Sequence, residues 1–264
     1  MTGVERIAEA FAGASANGRR AALMPYLMGG FPDLETSLRI GLAYAGAGAD
    51  LVELGVPFSD PLADGPVIHA ADTAALAAGA TLDRVLEVGQ GIAARVPVIL
   101  MCYSNVIFAR GLERFADSLV DRDASGLIVP DLPLEEASAA LVACDARGLA
   151  LIPLVAPSTP DERLERIGAS ARGFLYAVSI AGTTGERAGL DGSLAAVISR
   201  ARAHTDVPVA VGFGIATPEQ ADAAARAGAQ GVIVGTRLVR AAREAEDPAG
   251  AVGALVSALS AALR

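Results

Sequence analysis

Two acidic residues on one stiff segment are the first candidates for chemistry. The segment runs from Glu53 to Pro66, reads ELGVPFSDPLADGP, and contains three prolines that restrict its backbone. Glu53 ends an apolar run, so its carboxyl should be partly removed from water, which raises its pKa toward a value useful for proton transfer near neutral pH. Asp64 supplies a second carboxylate in a different environment, as acid–base catalysis often requires. A solvated or arginine-paired glutamate is the alternative for Glu53 taken alone.

Three glycine-rich segments could bind a phosphate group. They lie at 179–185, 212–215 and 235–237, each after an apolar run. Glycine lets backbone N–H groups approach a phosphate closely, and a helix beginning at Thr236 would add aligned donors. Any one of these glycines is more often only a turn residue. Three such segments after consecutive strands indicate a phosphate site.

Aromatic side chains near the same positions suit a flat, apolar ligand. Tyr26, Tyr103, Tyr176 and Phe213 all fall within or just beyond predicted strands, in a chain with seven Phe, four Tyr and no Trp. Packing inside the core is the alternative for each of them. Together they indicate a pocket that binds an apolar ring with a polar handle.

Eight short apolar runs are predicted to be the strands that position these residues. Most are continuous in Val, Ile and Leu, which is typical of strands buried on both faces of a parallel sheet. They lie at 22–28, 50–54, 98–102, 126–129, 151–155, 174–178, 209–211 and 231–234.

The segments between these runs carry helix signals. Asp33 is predicted to begin a helix whose buried face is marked by Leu34, Leu38 and Leu42. Thr159 and Thr217, each followed by proline, are predicted N-caps of two later helices. The similar segments 45–50 and 226–231 place glycine where a helix gives way to a strand.

Eight βα units in 264 residues predict an α/β fold, a single (β/α)8 TIM barrel spanning 1–264 as one domain. An extra N-terminal helix at 4–12 and a C-terminal capping helix at 248–263 would complete it. A doubly wound sheet is the structural alternative, but no Gly-x-Gly-x-x-Gly fingerprint follows the first predicted strand. In TIM barrels the carboxyl ends of the strands carry the active site, which is where the candidate residues lie.

Composition excludes several other classes of function. A net charge of −9 argues against nucleic acid or an anionic membrane as partner. No apolar stretch approaches the ~20 residues that span a bilayer, and charged residues interrupt the N-terminal segment early, so a cytoplasmic, soluble protein is expected. Cys102 and Cys144 are too few for a disulfide scaffold, and His69 lies far from His204, so we expect no metal site.

The segment from Glu53 to Pro66 closely resembles the signature of tryptophan synthase α subunits. The resemblance covers the whole chain. Further matching motifs are MPY at 24–26, GFPD at 30–33, YSN at 103–105, PDLP at 130–133, TG at 184–185, GFGI at 212–215 and GT at 235–236.

This resemblance implies a lyase that cleaves indole-3-glycerol phosphate to indole and glyceraldehyde 3-phosphate in tryptophan biosynthesis. Glu53 would be the general acid–base residue, and Asp64 would accept a hydrogen bond from the indole N–H. The substrate-binding residues implied by the resemblance are Tyr26, Tyr103, Tyr176, Thr184, Gly185, Phe213, Gly214, Gly235 and Thr236.

The resemblance also implies a partner. The family's working form is an αββα heterotetramer in which indole passes through a tunnel to a β subunit that contains pyridoxal phosphate. This chain would therefore need no cofactor of its own. Ser59, Asp60, Pro61 and Asp131 would face the β subunit, whose binding would order the loop after the second strand.

Two positions depart from the family pattern, and some alternatives stay open. Ala181 begins an AGTTG run where many members have a valine before Thr-Gly, and Thr236 replaces the usual serine while keeping a hydroxyl. Arg187 and Arg237 could neutralise phosphate or only face solvent. The alternatives are another phosphate-binding barrel such as an isomerase or indole-glycerol-phosphate synthase, a free-standing indole-releasing lyase, and a catalytically silent subunit that activates its β partner.

Overall fold

The computed structural model describes residues 1–178, 192–212 and 214–264. In these ranges nine parallel strands form one sheet in the order β5-β4-β3-β2-β1-β9-β8-β7-β6. The strands are β1 Ala22–Met28, β2 Val52–Gly55, β3 Val98–Met101, β4 Gly126–Ile128, β5 Ala150–Ile152, β6 Leu154–Val155, β7 Leu175–Val178, β8 Val209–Gly212 and β9 Gly231–Val234.

The predicted fifth strand is two strands separated by Pro153. β5 pairs with β4, and β6 pairs with β7. Proline has no N–H to donate to a ladder, while its carbonyl still accepts the N–H of Tyr176 at 3.0 Å. Since β5 and β6 are consecutive halves of one extended segment, they occupy one position and close a ring of eight. The prediction of a (β/α)8 barrel is confirmed.

An outer ring of helices surrounds the strands. Their bounds are α1 Gly3–Ala16, α2 Leu34–Gly46, α3 Pro66–Ala77, α4 Leu82–Ala93, α5 Ser104–Arg110, α6 Leu112–Val120, α7 Ser138–Asp145, α8 Asp161–Ser170, α9 Gly192–Ala203, α10 Pro218–Arg226, α11 Thr236–Glu244 and α12 Pro248–Ala262, with a 3-10 turn at Leu134–Glu136. None of the helices in the described ranges is long and apolar enough to cross a membrane.

The two capping helices predicted from the sequence, α1 and α12, are both present and pack on the barrel. α1 begins with a capping box between Thr2 and Glu5 and is longer than the predicted 4–12. Its Ile7 and Phe11 pack into the amino-terminal end of the lumen, where the Phe11 ring lies 5.9 Å from that of Phe174. α12 packs on α2, α10 and α11, as expected for a capping helix.

Two local predictions on the helices are wrong. The buried face of α2 includes Ile40 and Tyr44, whereas Leu42 is 39 % exposed. Close packing of α2 on α4 favours small residues at this contact, because a Cβ at Gly41 would collide with Ile92. Leu34 and Leu38 are half-buried and do pack against the core.

The N-cap predicted at Thr159 is the other error. α8 begins at Asp161 with Pro160 as its N-cap, and the Thr159 hydroxyl instead accepts the N–H of Ala156 at 2.9 Å. That hydroxyl therefore closes the preceding turn. Thr217 does cap α10, through a reciprocal capping box with Gln220.

Candidate active site

Glu53 lies in the barrel lumen on β2. In register it is paired with Tyr26 on β1 and Ile99 on β3. Alternate residues of a strand face the same side, and Leu51, two residues earlier, belongs to the apolar cluster that fills the lumen. The Glu53 side chain is only 1 % exposed. The predicted desolvation of this carboxyl is confirmed.

The protonation of Glu53 follows from its surroundings. Its Oε2 atom has no hydrogen-bond partner among the described residues. Burial, and secondarily the negative charge of Asp64, raises the pKa of Glu53 to about 8. At neutral pH the carboxyl is therefore mainly protonated and can donate a proton.

Asp64 lies close enough to Glu53 for its charge to act on it, on the segment 56–65 between β2 and α3, which we call loop two. The Tyr103 hydroxyl donates to Asp64 Oδ2 at 2.9 Å and accepts the N–H of Ala63 at 3.0 Å. Burial raises the pKa of Asp64, while the Tyr103 hydrogen bond and nearby His69 lower it. The two acids thus differ, since Asp64 has a hydrogen-bond donor while Glu53 Oε2 has none within the described chain.

Sequence reasoning missed a further acid, Asp72, which is as buried as Glu53. It lies on α3, is 1 % exposed, and its Oδ1 accepts the N–H of Phe58 in loop two at 3.1 Å. Burial raises the pKa of Asp72 to about 7, although the Phe58 hydrogen bond lowers it. The available signal was a lone aspartate on the apolar stripe of α3, between Ile68 and Ala75.

Tyr26 on β1 and Tyr176 on β7 reach into the lumen from two strands that are three positions apart in the ring. The Tyr26 hydroxyl lies over Gly55 and the Tyr176 hydroxyl over Gly212, so a Cβ at either glycine would collide with the ring. Burial, followed by the charge of Glu53, raises the pKa of Tyr176, which indicates that the two side chains are electrostatically coupled. The two tyrosines and Glu53 therefore line one cavity.

The carboxyl ends of the seventh and eighth barrel strands carry the predicted phosphate residues. Gly214 follows β8 with φ of +86°, a conformation that favours glycine. Gly235 is the N-cap of α11, and Thr236 is its first residue, as predicted. Half-buried Arg237 follows on the same turn. Thr184, Gly185, Arg187 and Phe213 lie outside the described residues.

The predicted partner residues lie on the rim around this site. Ser59, Asp60 and Asp131 are exposed, and Pro61 is half-buried. Asp131 also has an intramolecular role, because its carboxylate accepts the N–H and the hydroxyl of Ser104 at 2.8 and 2.7 Å, at the start of α5.

The buried Glu53 predicts a stability change with a definite pH dependence. Its pKa is higher in the folded state than the ordinary value of 4.5, so the folded state binds the proton more tightly. The stability that Glu53 contributes is therefore present below about pH 4.5 and is lost as the pH rises toward 8. Glu53→Gln should raise the free energy of unfolding by on the order of 2–4 kcal/mol at pH 8 and change it little at pH 4.5.

Urea unfolding of both proteins at the two pH values measures this difference. Equal stabilisation at both pH values would show that Glu53 ionises as it does in the unfolded chain.

The fold and the site together define a class of protein. A closed barrel with a protonated carboxyl in its lumen, a second carboxyl on a stiff loop and a helix N-terminus after its last strand is a TIM-barrel enzyme equipped for acid–base chemistry. No cluster of acidic, His or Cys side chains that could hold a metal occurs in the described ranges.

Comparisons with known proteins specify the family. The family model described as tryptophan synthase alpha chain matches residues 11–261. The tryptophan synthase alpha chain of Prochlorococcus marinus (strain MIT 9313) is 49% identical over 223 residues, covering 84% of this chain and 81% of that one. That of Roseiflexus sp. (strain RS-1) is 47% identical over 245 residues, covering 92% and 93%.

Solved structures indicate the same family. Tryptophan synthase of Mycobacterium tuberculosis has a chain that superimposes with a TM-score of 0.92 at 38% identity, covering 98% of both chains. The tryptophan synthase α subunit of Legionella pneumophila str. Paris gives a TM-score of 0.89 at 38% identity, again over 98% of both chains. The chain belongs to the tryptophan synthase α-chain family.

The reaction of this family is the cleavage of indole-3-glycerol phosphate to indole and glyceraldehyde 3-phosphate, a carbon–carbon lyase step of tryptophan biosynthesis. The α chain needs no cofactor, and the pyridoxal phosphate of the synthase is carried by the β subunit. The family and the reaction implied by the sequence motifs are confirmed.

Proposed function

We propose that this chain cleaves indole-3-glycerol phosphate with Glu53 as general acid and base and Asp64 as the acceptor of the indole N–H. The observation that carries this proposal is the carboxyl of Glu53, buried in the lumen with one oxygen unpartnered within the described chain. The raised pKa of Glu53 supports a proton donor that is ready at neutral pH.

The first step uses the protonated form of Glu53. The proton moves from Glu53 to C3 of the indole ring, and the ring becomes a cationic indolenine with its charge shared by N1. In this proposal Asp64 acts as a carboxylate that accepts the N1–H, and its negative charge stabilises the positive charge that develops on the ring. Such preorganised electrostatic stabilisation lowers the barrier because the acceptor is in place before the charge forms.

The second step uses the carboxylate left on Glu53. It removes the proton from the glycerol hydroxyl next to the ring, and the O–H electron pair forms the aldehyde carbonyl as the carbon–carbon bond breaks. The electrons of that bond return to the indolenine, which becomes neutral indole. Glu53 ends the cycle protonated, which is the form that burial favours.

Binding of the phosphate is proposed for Gly214, Gly235 and Thr236. The first N–H groups of α11 have no acceptor inside the helix and point toward the carboxyl face of the barrel. This local source of positive potential suits a chain with a net charge of −9, which has no generally basic surface to attract a phosphate. By family resemblance Gly185 adds to this set.

The aromatic residues are proposed to hold the indole ring. Tyr26, Tyr103 and Tyr176 are buried around Glu53 and loop two, and Phe213 and Thr184 are assigned to the pocket by the resemblance alone. Apolar rings exclude water from the cationic intermediate and strengthen its interaction with Asp64.

A β subunit is the proposed partner, in an αββα heterotetramer of the cytoplasm. Leu62 is 83 % exposed in loop two and Phe108 is 59 % exposed on α5, so two large apolar side chains lie on the rim that also carries Ser59, Asp60 and Asp131. Exposed apolar side chains ringed by polar ones are typical of protein interfaces. Loop two would then link the partner to Asp64.

Indole release by the purified chain tests this function. We expect wild type to release indole from indole-3-glycerol phosphate alone and faster with a saturating β subunit, because the partner orders loop two. Inactivity even with the β subunit would favour a silent subunit. Full activity without stimulation would favour a free-standing lyase.

The interface is tested by charge insertion on the rim. Leu62→Glu and Phe108→Glu should each weaken binding of the β subunit by about 10-fold or more, since each would bury an unpaired charge in the interface. Val142→Glu is the matched control, because Val142 is 68 % exposed on α7. Titration calorimetry gives the affinities, and equal affinities for all three variants would place the interface elsewhere.

A further inference from the structure

Asp72 is a buried acid for which the reaction steps above have no use. It lies beneath loop two on α3 with 1 % of its surface exposed, and its Oδ2 has no hydrogen-bond partner among the described residues. Burying a carboxyl with an unsatisfied oxygen costs folding free energy. Stability alone therefore does not explain an acid at this position.

A short series of contacts joins Asp72 to Asp64. Oδ1 of Asp72 accepts the N–H of Phe58 at 3.1 Å. The Phe58 ring stacks on Tyr103 with centroids 5.2 Å apart and planes at 27°. The Tyr103 hydroxyl then donates to Oδ2 of Asp64 at 2.9 Å and accepts the N–H of Ala63 at 3.0 Å. Both ends of loop two are thus held through one network.

We propose that Asp72 is a positioning residue of the lyase reaction, which fixes loop two at the Phe58 N–H and thereby holds Asp64 over the indole site. The inference rests on the proposed role of Asp64. Asp72 touches neither substrate nor the reacting atoms, and it acts through the backbone of loop two. Asp64 stabilises a positive charge that forms only during the reaction. Its displacement therefore lowers kcat more than it raises KM.

The acceptor, and not the charge, is the essential feature of Asp72. Asp72→Asn keeps an oxygen that can accept the Phe58 N–H, so kcat should stay within about threefold of wild type. Asp72→Ala and the nearly isosteric Asp72→Leu remove the acceptor and should lower kcat by about 10- to 100-fold, the scale of a misplaced catalytic group. If the Asp72→Ala and Asp72→Leu enzymes lose the same factor in kcat, the cavity left by truncation is excluded as the cause of the loss.

A double-mutant cycle separates positioning from a general structural role. If Asp72 acts through Asp64, adding Asp72→Ala to Asp64→Ala, which has no side-chain acceptor left to position, should lower kcat no further than Asp64→Ala alone. Losses that multiply would overturn the proposal, as would an Asp72→Ala enzyme with wild-type kcat or an Asp72→Asn enzyme as impaired as Asp72→Ala.

Two controls complete this experiment. Thr73→Ala, at an exposed position of the same helix, should leave kcat unchanged. The Asp64→Asn enzyme tests the proposed function separately, since full activity in that variant would refute the role of Asp64 whatever the Asp72 variants do. Thermal unfolding of each variant confirms that the folded protein is being compared.

Discussion

Glu53→Gln is expected to lower kcat/KM for indole release by about 10²–10⁴-fold, the usual contribution of a general acid–base residue. The amide keeps the size of the side chain and its place on β2 but can neither give a proton to C3 nor accept one from the glycerol hydroxyl. Both steps of the proposed reaction pass through this group, so the β subunit should not restore the rate.

The matched control is Glu87→Gln on α4, where the side chain is exposed on the outer ring. Its kcat/KM should equal that of wild type. Steady-state assays of indole formation with and without the β subunit measure all three proteins. A Glu53→Gln enzyme within a few fold of wild type would leave the lyase reaction standing but would remove Glu53 from its mechanism.

Asp64→Asn is expected to lower kcat by about 10²–10³-fold, the scale seen when one preorganised electrostatic contact is removed. The amide oxygen can still accept the indole N–H, but without a negative charge it no longer stabilises the positive charge of the indolenine. The Tyr103 hydroxyl can still donate to that oxygen, so loop two should keep its place. The loss should therefore appear in kcat, with KM nearly unchanged.

Asp206→Asn, at an exposed position remote from loop two in sequence, is the control for loss of one negative charge. Parallel measurement of kcat and KM distinguishes the two roles open to Asp64. A rise in KM with constant kcat would mean that Asp64 only binds substrate in its ground state.

The barrel could be predicted from the sequence because each strand is a short, continuous apolar run that is recognisable without its partners. Runs such as 98–102 and 231–234 are buried on both faces, and each lies within one or two residues of the strand found. Asp33 and Thr217 cap helices as predicted, and Gly48 and Gly228 have positive φ at helix ends. These features depend on neighbours a few residues away, so a single sequence contains the information.

The errors and omissions depend on contacts between distant segments. Leu42 is partly exposed because α2 contacts α4 through Gly41. Thr159 does not cap α8 because its hydroxyl accepts the N–H of Ala156 in the preceding turn. Asp72 and Phe58 are joined across fourteen positions by a hydrogen bond to a backbone N–H, which leaves no mark in the sequence.

Family membership narrows the alternatives considered from the sequence. An isomerase or indole-glycerol-phosphate synthase is excluded by a match to the α-chain family model over residues 11–261. The described site retains Glu53 and Asp64 with the environments that acid–base chemistry requires, which argues against a silent subunit.

Titration of the Glu53 carboxyl is the most direct test of the proposed mechanism. 13C NMR of protein labelled at the glutamate carboxyl carbons would follow each group, and the Glu53→Gln spectrum would identify the resonance. We expect a midpoint near pH 8, because burial favours the protonated form that the first step needs. A midpoint near the ordinary value of 4.5 would show a carboxylate at neutral pH and would contradict proton donation from Glu53 to the indole ring.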